Sequence, residues 1–449
     1  MAMHLLHPHR LSQKVKVIAP VLLGVACAFY AHATQAADTA VATAAAPLEP
    51  SGYSRLNPPI TGISVAIAWS KALAANPGLK AAQHGLAATD GTVLQSKARP
   101  NPEASYSQED TRPSTRSITM QINQRLELGG KRDARIKVAE SSKGLAQAAL
   151  AQAQVDLRFQ VTTRFNELLL ARQRLQLASE MKDLAARTQD AAQKRVTAGR
   201  VPPLEATRAQ VALGNAEMEL TQARSSVVIA QQDLVALWGG VASEASEVVG
   251  DFARVEAPPS VDRMQAAIEN SPGMLRVQRA VEQSRAVSEL ERSLRVQDPT
   301  VSVGLKRAQE VGRNQIVFGV SMPLPLFDTN AGNQLEALRK LDQAEQVMQD
   351  TLLQLRVQAL SALQQQTSSY QQITQLRDQV IPTAQTAYDL ASRGFTLGKF
   401  NFLDVLDTQR TLVETQRQLL DQLMASHRAQ AEFERILGIS IPALPLNQN

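Results

Sequence analysis

The residues of this chain with the clearest chemical potential are two aspartates, Asp404 and Asp407, placed three positions apart after a predicted turn. At this spacing, two side chains share one face of a helix. Repeated about a symmetry axis, the pair would form two stacked carboxylate rings, a known device for selecting cations. The alternative is structural, because acidic residues also stabilise the first turn of a helix by capping it and by favouring its dipole.

The sequence shows no arrangement of residues that is typical of catalysis or of cofactor or metal binding. The histidines are His4, His7, His9, His32, His84 and His427, and only the last two follow the predicted export signal. Both fall in helical segments, where a surface or packed histidine is the ordinary case. The chain therefore lacks the soft Cys and His ligands that would hold a transition metal. We predict no enzyme activity, and any metal selectivity is expected to reside in partners.

The elements that must position Asp404 belong to a module written twice. Segment 197–205 recurs as 396–404, at a spacing of about 199 residues. A duplicated unit normally cannot bury its apolar surface alone. We predict two copies, 61–238 and 261–438, joined by a linker at 239–260 and followed by a tail at 439–449.

The two copies differ in charge at the positions of the aspartate pair. In the first copy these positions carry Glu205 and Arg208, so one acid is retained and the other is replaced by a base.

The first 36 residues have the basic start and the short apolar stretch of an export signal. A linker at 37–60 leads to the first copy. The single cysteine, Cys27, lies in a poor lipid-attachment motif, so its lipidation stays open, and the chain cannot form an internal disulfide. The net charge of +5 comes from interspersed residues, which argues against nucleic-acid binding.

Each copy contains two segments in which apolar and polar residues alternate, the period of a strand. The clearer segments are 117–128 and 315–324, and their weaker partners are 102–110 and 299–306. Their length suits a tilted membrane strand with one lipid-facing side. The predicted lipid-facing residues are Ile118, Met120, Ile122, Ile316, Phe318, Val320 and Met322. A soluble hairpin with one face on a core is the alternative. Four strands cannot close a barrel, and open edges are not tolerated in hydrocarbon, so the chain must oligomerise.

After each hairpin the sequence predicts two long helices, 131–198 with 203–238 in the first copy and 331–397 with 402–437 in the second. At 1.5 Å per residue, the longer helix of each pair would extend about 100 Å. We expect a kink or a break at Pro382. Apolar residues three or four apart indicate coiled-coil packing.

Taken together, these segments resemble the TolC-type outer-membrane efflux ducts over nearly all of the mature chain. The most specific match is 398–407, which is similar to the family's turn and following helix. Segments 126–132 and 323–328 resemble those of the heavy-metal branch, the CzcC-type and CusC-type ducts. The resemblance implies a mainly α fold with a small β part: a duplicated module of a β-hairpin and very long α-hairpins. Three chains would form a membrane β-barrel of 12 strands that continues as a periplasmic α-helical barrel, whose inner entrance the aspartates narrow. With Glu205 and Arg208 beside them, these four residues are the predicted gate. We hypothesise that Arg208 forms a salt bridge across the closed entrance, and that replacing it by Ala raises channel conductance.

The resemblance implies a homotrimeric duct in the outer membrane, surrounded by outer-membrane lipid and extending into the periplasm. Its partners would be a periplasmic adaptor and a proton-driven inner-membrane pump of the RND type, and its cargo heavy-metal cations of the cobalt, zinc and cadmium, nickel, or copper and silver class. The turns would form the adaptor-docking tip through Arg195, Gly199, Arg200, Gly398 and Lys399. Two alternatives stay open: a duct for organic compounds or for type I secretion, and a soluble periplasmic coiled-coil adaptor.

Overall fold

The structure is a computed structural model that describes residues 62–438. The predicted signal at 1–36, which includes Cys27, the linker at 37–60 and the tail at 439–449 lie outside the described residues. Within residues 62–438, no helix is long and apolar enough to cross a membrane.

Both predicted copies have the same order of elements: two helices, a β-hairpin and a pair of long helices. The first copy comprises α1 (Val65–Ala75), α2 (Pro77–Lys97), β1 (Glu103–Glu109), β2 (Ser117–Arg125), α3 (Lys131–Thr197) and α4 (Pro203–Val235). The second comprises α5 (Val261–Ile268), α6 (Pro272–Ser293), β3 (Thr300–Ala308), β4 (Arg313–Ser321), α7 (Ala331–Gln375), α8 (Ile381–Thr396) and α9 (Phe402–Leu437).

The helices α2 and α6 begin in the same way. The Asn76 side chain accepts a hydrogen bond from the Leu79 N–H at 2.9 Å, and the Ser271 hydroxyl accepts one from the Met274 N–H at 3.3 Å. In each case a proline follows the cap, where its missing N–H costs nothing and its fixed φ suits the helix. Equivalent side-chain caps therefore begin the second helix of both copies.

The four strands form one antiparallel sheet in the order β1-β2-β3-β4, so the two hairpins lie side by side. Met120 pairs with Tyr106 on one side and with Leu305 on the other, and Leu305 pairs with Ile316. One face is thus apolar across all four strands, and the other is lined mainly by hydroxyl and amide side chains. Apolar side chains on this first face are largely exposed, Phe318 at 78%.

The strand ends differ from the predicted ones. β2 ends at Arg125 instead of residue 128, and β4 occupies Arg313–Ser321 instead of 315–324. Pro323 and Pro325 explain the early end of β4, because proline cannot donate to a ladder. β3 continues two residues beyond its predicted end, to Ala308, since it pairs with the start of β4.

The long helix α3 is the centre of the helical layer. Towards the sheet it packs between α2 and α6, and towards its far end it packs against α4 and α9. In the second copy, α7 contacts α6 and α9, and α8 contacts α9. Much of the seam is alanine, such as the fully buried Ala192 and Ala359, which lets helix axes approach closely. The two copies therefore form one continuous layer.

In the second copy, the predicted helix 331–397 is interrupted by a π segment, Leu376–Val380, between α7 and α8. The sequence predicts a kink or a break at Pro382, and the interruption precedes that proline directly. Proline removes a helical donor and its ring crowds the carbonyl of residue i−4, here Asp378. A π turn accommodates this conflict without ending the helix.

The linker at 239–260 covers the middle of the helical layer. Ile63 and Val248 form a parallel bridge, and the carbonyl of Ala253 accepts a hydrogen bond from Arg377 at 2.8 Å. The Glu244 carboxylate accepts hydrogen bonds from Lys71, the Val241 N–H and Trp238, which together lower its pKa to about 2. The linker is thus bonded to helices of both copies.

Candidate functional site

The turns after α3 and α8 are built alike. Gly199 and Gly398 have φ of 67° and 74°, a left-handed conformation that glycine adopts without steric cost. The Arg200 N–H donates to the Arg195 carbonyl at 3.0 Å, and the Lys399 N–H donates to the Gly394 carbonyl at 2.8 Å. These bonds form the Schellman motif that closes a helix.

The helices that follow the turns begin differently. Asn401 and Asp404 form a capping box: Asp404 N–H donates to the Asn401 side chain at 3.0 Å, and Asn401 N–H donates to the Asp404 carboxylate at 3.1 Å. In the first copy Pro202 occupies the capping position, and no side chain bonds the first turn of α4. Asp404 therefore has the structural role of capping the helix. Its side chain is also exposed, so the carboxylate lies at the surface.

The other predicted gate residues have no such role. Asp407 is exposed, and its carboxylate makes no hydrogen bond or ion pair within residues 62–438. Glu205 is half-buried, and one carboxylate oxygen, Oε2, is buried without a partner in the chain. Arg208 is exposed and forms no ion pair with Glu205, Asp404 or Asp407 in the described part of the chain. The single chain thus leaves the proposed salt bridge of Arg208 as a prediction.

Arg208 lines a groove of about 510 Å³ between α4 and α9. Ala185 of α3 forms part of its floor, and Leu406 and Arg410 line it from α9. Farther along the groove, Arg417 of α9 forms an ion pair with Glu219 of α4. The structure therefore places Arg208 on the side of α4 that is turned towards the second copy, while neither aspartate lines this groove.

The predicted docking cations divide into two kinds. Arg200 and Lys399 are exposed in their turns. Arg195 is half-buried: its guanidinium lies 4.1 Å from the centre of the Phe395 ring and donates to the Phe395 carbonyl at 3.1 Å. Arg195 is thus engaged within the chain, where it joins α3 to α8.

Next to the turns, α3, α4, α8 and α9 converge on a small apolar cluster. Its members are Ala192, Ala209, Ala391, Phe395, Phe402 and Val405. The Phe395 and Phe402 rings lie 5.8 Å apart, close enough for favourable ring packing. This cluster holds the starts of α4 and α9, and therefore the predicted gate residues, in fixed positions.

The junction between sheet and helices contains a group that the sequence analysis missed. The Lys131 ammonium donates to the Asp298 carboxylate at 2.6 Å, and both side chains are largely buried. Burial alone would raise the pKa of Asp298, but the hydrogen bonds from Lys131 and from the Leu128 N–H outweigh it and lower the pKa. The pair joins the two copies. No periodicity reveals it, because its partners are far apart in sequence.

The two histidines of residues 62–438 lie apart. His84 is exposed on α2, and His427 on α9 is half-buried, with one ring nitrogen 2.9 Å from the Phe252 carbonyl. In the described range, no three His, Cys, Asp or Glu residues are grouped as metal ligands. His427 is thus packed against the linker, as expected for a packed histidine.

Comparison with known proteins gives consistent results. A family model described as "Outer membrane efflux protein" matches residues 68–240 and 264–439, ranges that correspond closely to the two predicted copies. The chain is 39% identical over 416 residues to the cobalt-zinc-cadmium resistance protein CzcC of Cupriavidus metallidurans, covering 93% of this chain and 98% of the relative.

Solved structures share the fold. A membrane protein from Pseudomonas aeruginosa is 18% identical, with a TM-score of 0.73 over 83% of this chain and 93% of that chain. The CusC structure, described in terms of folding and transmembrane channel formation, is 18% identical, with a TM-score of 0.71 over 83% and 91% of the two chains.

Proposed function

Because the chain belongs to the outer membrane efflux protein family, we propose that it is the outer-membrane duct of a tripartite system exporting heavy-metal cations. The observation that carries the metal cargo is the 39% identity to a cobalt-zinc-cadmium resistance protein along nearly the whole of both chains. The duct is passive: energy comes from an inner-membrane RND-type pump, and a periplasmic adaptor joins the two.

The sheet supports a shared barrel. Among residues 62–438, β1 and β4 each pair on one side only, so two edges carry unpaired backbone groups. Three copies joined β4 to β1 would satisfy every edge and give 12 strands, four from each chain. The apolar face of the sheet would then meet lipid. Six of the seven predicted lipid-facing residues are exposed, and Ile118 is half-buried.

Two glycines on the polar face favour curvature towards that face. A Cβ on Gly304 would collide with the backbone and side chain of Gln121, and one on Gly319 would collide with the Ser302 hydroxyl. Side chains on the polar face are accordingly less exposed than those on the apolar face. A wet, hydroxyl-lined interior and an apolar exterior follow from this curvature.

The helical layer also has edges that need partners. On α4, Leu204, Val211 and Met218 are exposed at a spacing of seven residues, the period of a coiled-coil seam. On α7, Leu353, Val357 and Leu360 form another exposed stripe. Adjacent protomers would cover both stripes and so extend the barrel into a periplasmic helical tube.

At the far end of this tube, Asp404 and Asp407 would line the entrance as carboxylate rings, with Glu205 and Arg208 beside them. The Asp404 carboxylate accepts the Asn401 N–H, and the Asp407 carboxylate has no bond within residues 62–438, so both exposed carboxylates can attract cations. Arg200 and Lys399, with their glycine turns, would form the adaptor-docking tip, while Arg195 supports that tip from within.

The test is metal-by-metal growth of a strain that lacks this gene, complemented with the wild type or with the double variant Asp404→Asn, Asp407→Asn. We expect the deletion to lower tolerance to cobalt, zinc or cadmium, the wild type to restore it, and the double variant to restore it only partly. A matched control is Glu414→Gln, on the same helix beyond the entrance. Unchanged metal tolerance with increased sensitivity to organic compounds would overturn the metal cargo in favour of an organic-compound duct.

A further inference from the structure

The apolar face of the sheet ends, on the side away from the helices, in two arginines. Arg307 of β3 pairs with Ile118 of β2, the apolar residue of β2 nearest the hairpin turns, and with Asn314 of β4. On the same face, the next residue towards the turns is Arg116, just before β2. Its carbonyl accepts the Gln309 N–H at 3.0 Å, so the pairing continues beyond the first residue of β2. Arg116 and Arg307 therefore follow each other diagonally on one face, at a separation of roughly 7–8 Å.

Neither guanidinium has a partner in the described part of the chain, and both side chains are exposed. Of the carboxylates near this end of the sheet, Glu310 lies in the turn after β3 and forms no ion pair with either arginine, and the other two are engaged elsewhere. Glu109, on the opposite face, accepts from Lys306 and Ser117, and Asp110 accepts from Thr115 and from the Arg112 N–H. The chain thus leaves two adjacent cations uncompensated, although like charges at this separation repel each other.

We propose that Arg116 and Arg307 bind the phosphate groups of an anionic glycolipid in the outer leaflet of the membrane. The inference rests on the proposed function, because it requires the apolar face to contact lipid. The hairpin turns lie at the end of the sheet opposite the periplasmic helices, so this boundary faces the outer leaflet.

The chemistry fits phosphate. A guanidinium presents a planar fork of donors that matches two phosphate oxygens, and such charge-assisted bonds are stronger at a boundary from which water is partly excluded. The amides of Gln108 and Asn314 lie in the same row as Arg307, one on either side. Gln108 already donates one N–H to the Asp110 carbonyl at 3.4 Å and has a second to offer, and Asn314 adds its own donors. Apolar neighbours below the row would contact acyl chains while the arginines hold the headgroup.

The chain offers a matched control at the same end of the sheet. Arg313 begins β4 and pairs with Ala308, on the polar face, and its guanidinium is likewise unpartnered within residues 62–438. Arg313→Gln therefore removes one charge at the same height without touching the lipid-facing row. Arg116→Lys with Arg307→Lys keeps both charges and removes the fork.

The experiment measures binding of lipid A to the purified trimer in phospholipid nanodiscs by native mass spectrometry, with inorganic phosphate as competitor. We expect Arg116→Gln with Arg307→Gln to weaken binding on the order of tenfold or more, the double Lys variant to be intermediate, and Arg313→Gln to match the wild type. Inorganic phosphate at millimolar concentration should not displace the lipid, since the acyl chains also contribute.

Equal binding by the wild type and the double Gln variant would overturn the proposal, as would an equal loss in Arg313→Gln. Displacement by inorganic phosphate would also overturn it, because the ligand would then be a free anion. Insertion and trimer formation are checked separately by membrane extraction and by migration of the unheated trimer. Failure of the wild type to insert would overturn the proposed function together with this inference, whereas normal insertion with unaltered lipid binding removes the inference alone.

Discussion

The two turns at the far end of the molecule have the same backbone and different side chains. Gly199 and Gly398 close their helices with the same hydrogen bonds, yet Arg195 stands where the second copy has Gly394, and Arg208 where it has Asp407. The second copy keeps a side-chain cap, and the first relies on Pro202. The residues that the two copies share form the same backbone turn, whereas the residues that differ carry charge and form bonds between the copies.

The same division extends along the molecule. Arg417, which pairs with Glu219, stands where the first copy has Met218, and Asp421, which pairs with Arg174 at 2.6 Å, stands where it has Gln222. Each of these ion pairs uses a residue of the second copy that the first copy lacks. The pair can therefore form in only one alignment of the two copies. The differences between the two predicted copies thus include residues that form ion pairs from one copy to the other.

The largest effect is expected where a cross-copy pair is buried. Lys131 begins α3 as Ala331 begins α7, so the second copy has no ammonium at this position. Lys131→Met removes the ammonium and leaves the Asp298 carboxylate buried without its cation. Breaking a buried pair costs about 3–5 kcal/mol. We expect a loss of that size in the free energy of unfolding, measured by guanidinium titration in detergent. Adding Asp298→Asn should recover most of it, and a lone Lys131→Met that unfolds like the wild type would show that the pair is dispensable.

The next effect concerns charge at the entrance. Arg208→Asp gives the first turn the acid of the second, and Arg208→Ala only removes the base. We expect both to raise single-channel conductance in planar bilayers, and Arg208→Asp to increase cation selectivity as well, because added carboxylates attract cations. Asp407→Asn should lower selectivity without altering stability, since that side chain makes no bond within residues 62–438. If all three variants have the reversal potential of the wild type, these residues do not lie on the conduction path.

A smaller effect is expected from the bond that joins α3 to α8. Arg195→Ala removes the contact with the Phe395 ring and the hydrogen bond to its carbonyl. The loss should be about 1–2 kcal/mol, local to the turns. Faster tryptic cleavage at Arg200 and Lys399 would report it. Lys194→Ala is the control, because Lys194 bonds only Asp190 on its own helix, and the same cleavage rate in both variants would remove the special role of Arg195.

The smallest effect depends on pH. Burial lowers the pKa of His427, whereas its counterpart, Val228, is an exposed residue of α4. The folded chain then binds a proton less readily than the unfolded chain. Stability is complete above the ordinary value of about 6.5 and falls as the pH drops below it. We expect the denaturation midpoint to decline between pH 7.5 and 5.5, and His427→Gln to decline less. Identical slopes would show that other groups govern this range.

The sequence predicts the elements well because their periods differ. Alternation along Ile316, Phe318 and Val320 indicates a strand, and uninterrupted helical spacing defines α9 at both ends. The ends of β4 are less predictable, because they depend on where β3 supplies partners. The interruption before Pro382 is foreseeable from the proline, but its π form is not, because a helix can accommodate a proline by a kink or by a π turn.

The candidate site is predictable only in part. Asp404 and Asp407 are evident from spacing, and the comparison with Glu205 and Arg208 follows from the repeat. The engagement of Arg195 with Phe395 is not evident, because the two residues are 200 positions apart and meet only when the copies pack. The position at which copy one has Arg and copy two has Gly is the one signal that could have drawn attention to it.

The two unpaired edges of the sheet have a consequence for biogenesis. A single chain cannot enter the bilayer core with β1 and β4 open, since each unsatisfied backbone group costs several kcal/mol there. In the proposed trimer, insertion is thereby tied to assembly, so each chain would need two partner chains before its strands could enter the bilayer. One defective chain would then disable the two intact chains with which it assembles, so that co-expression of a defective variant would lower the activity of the wild type.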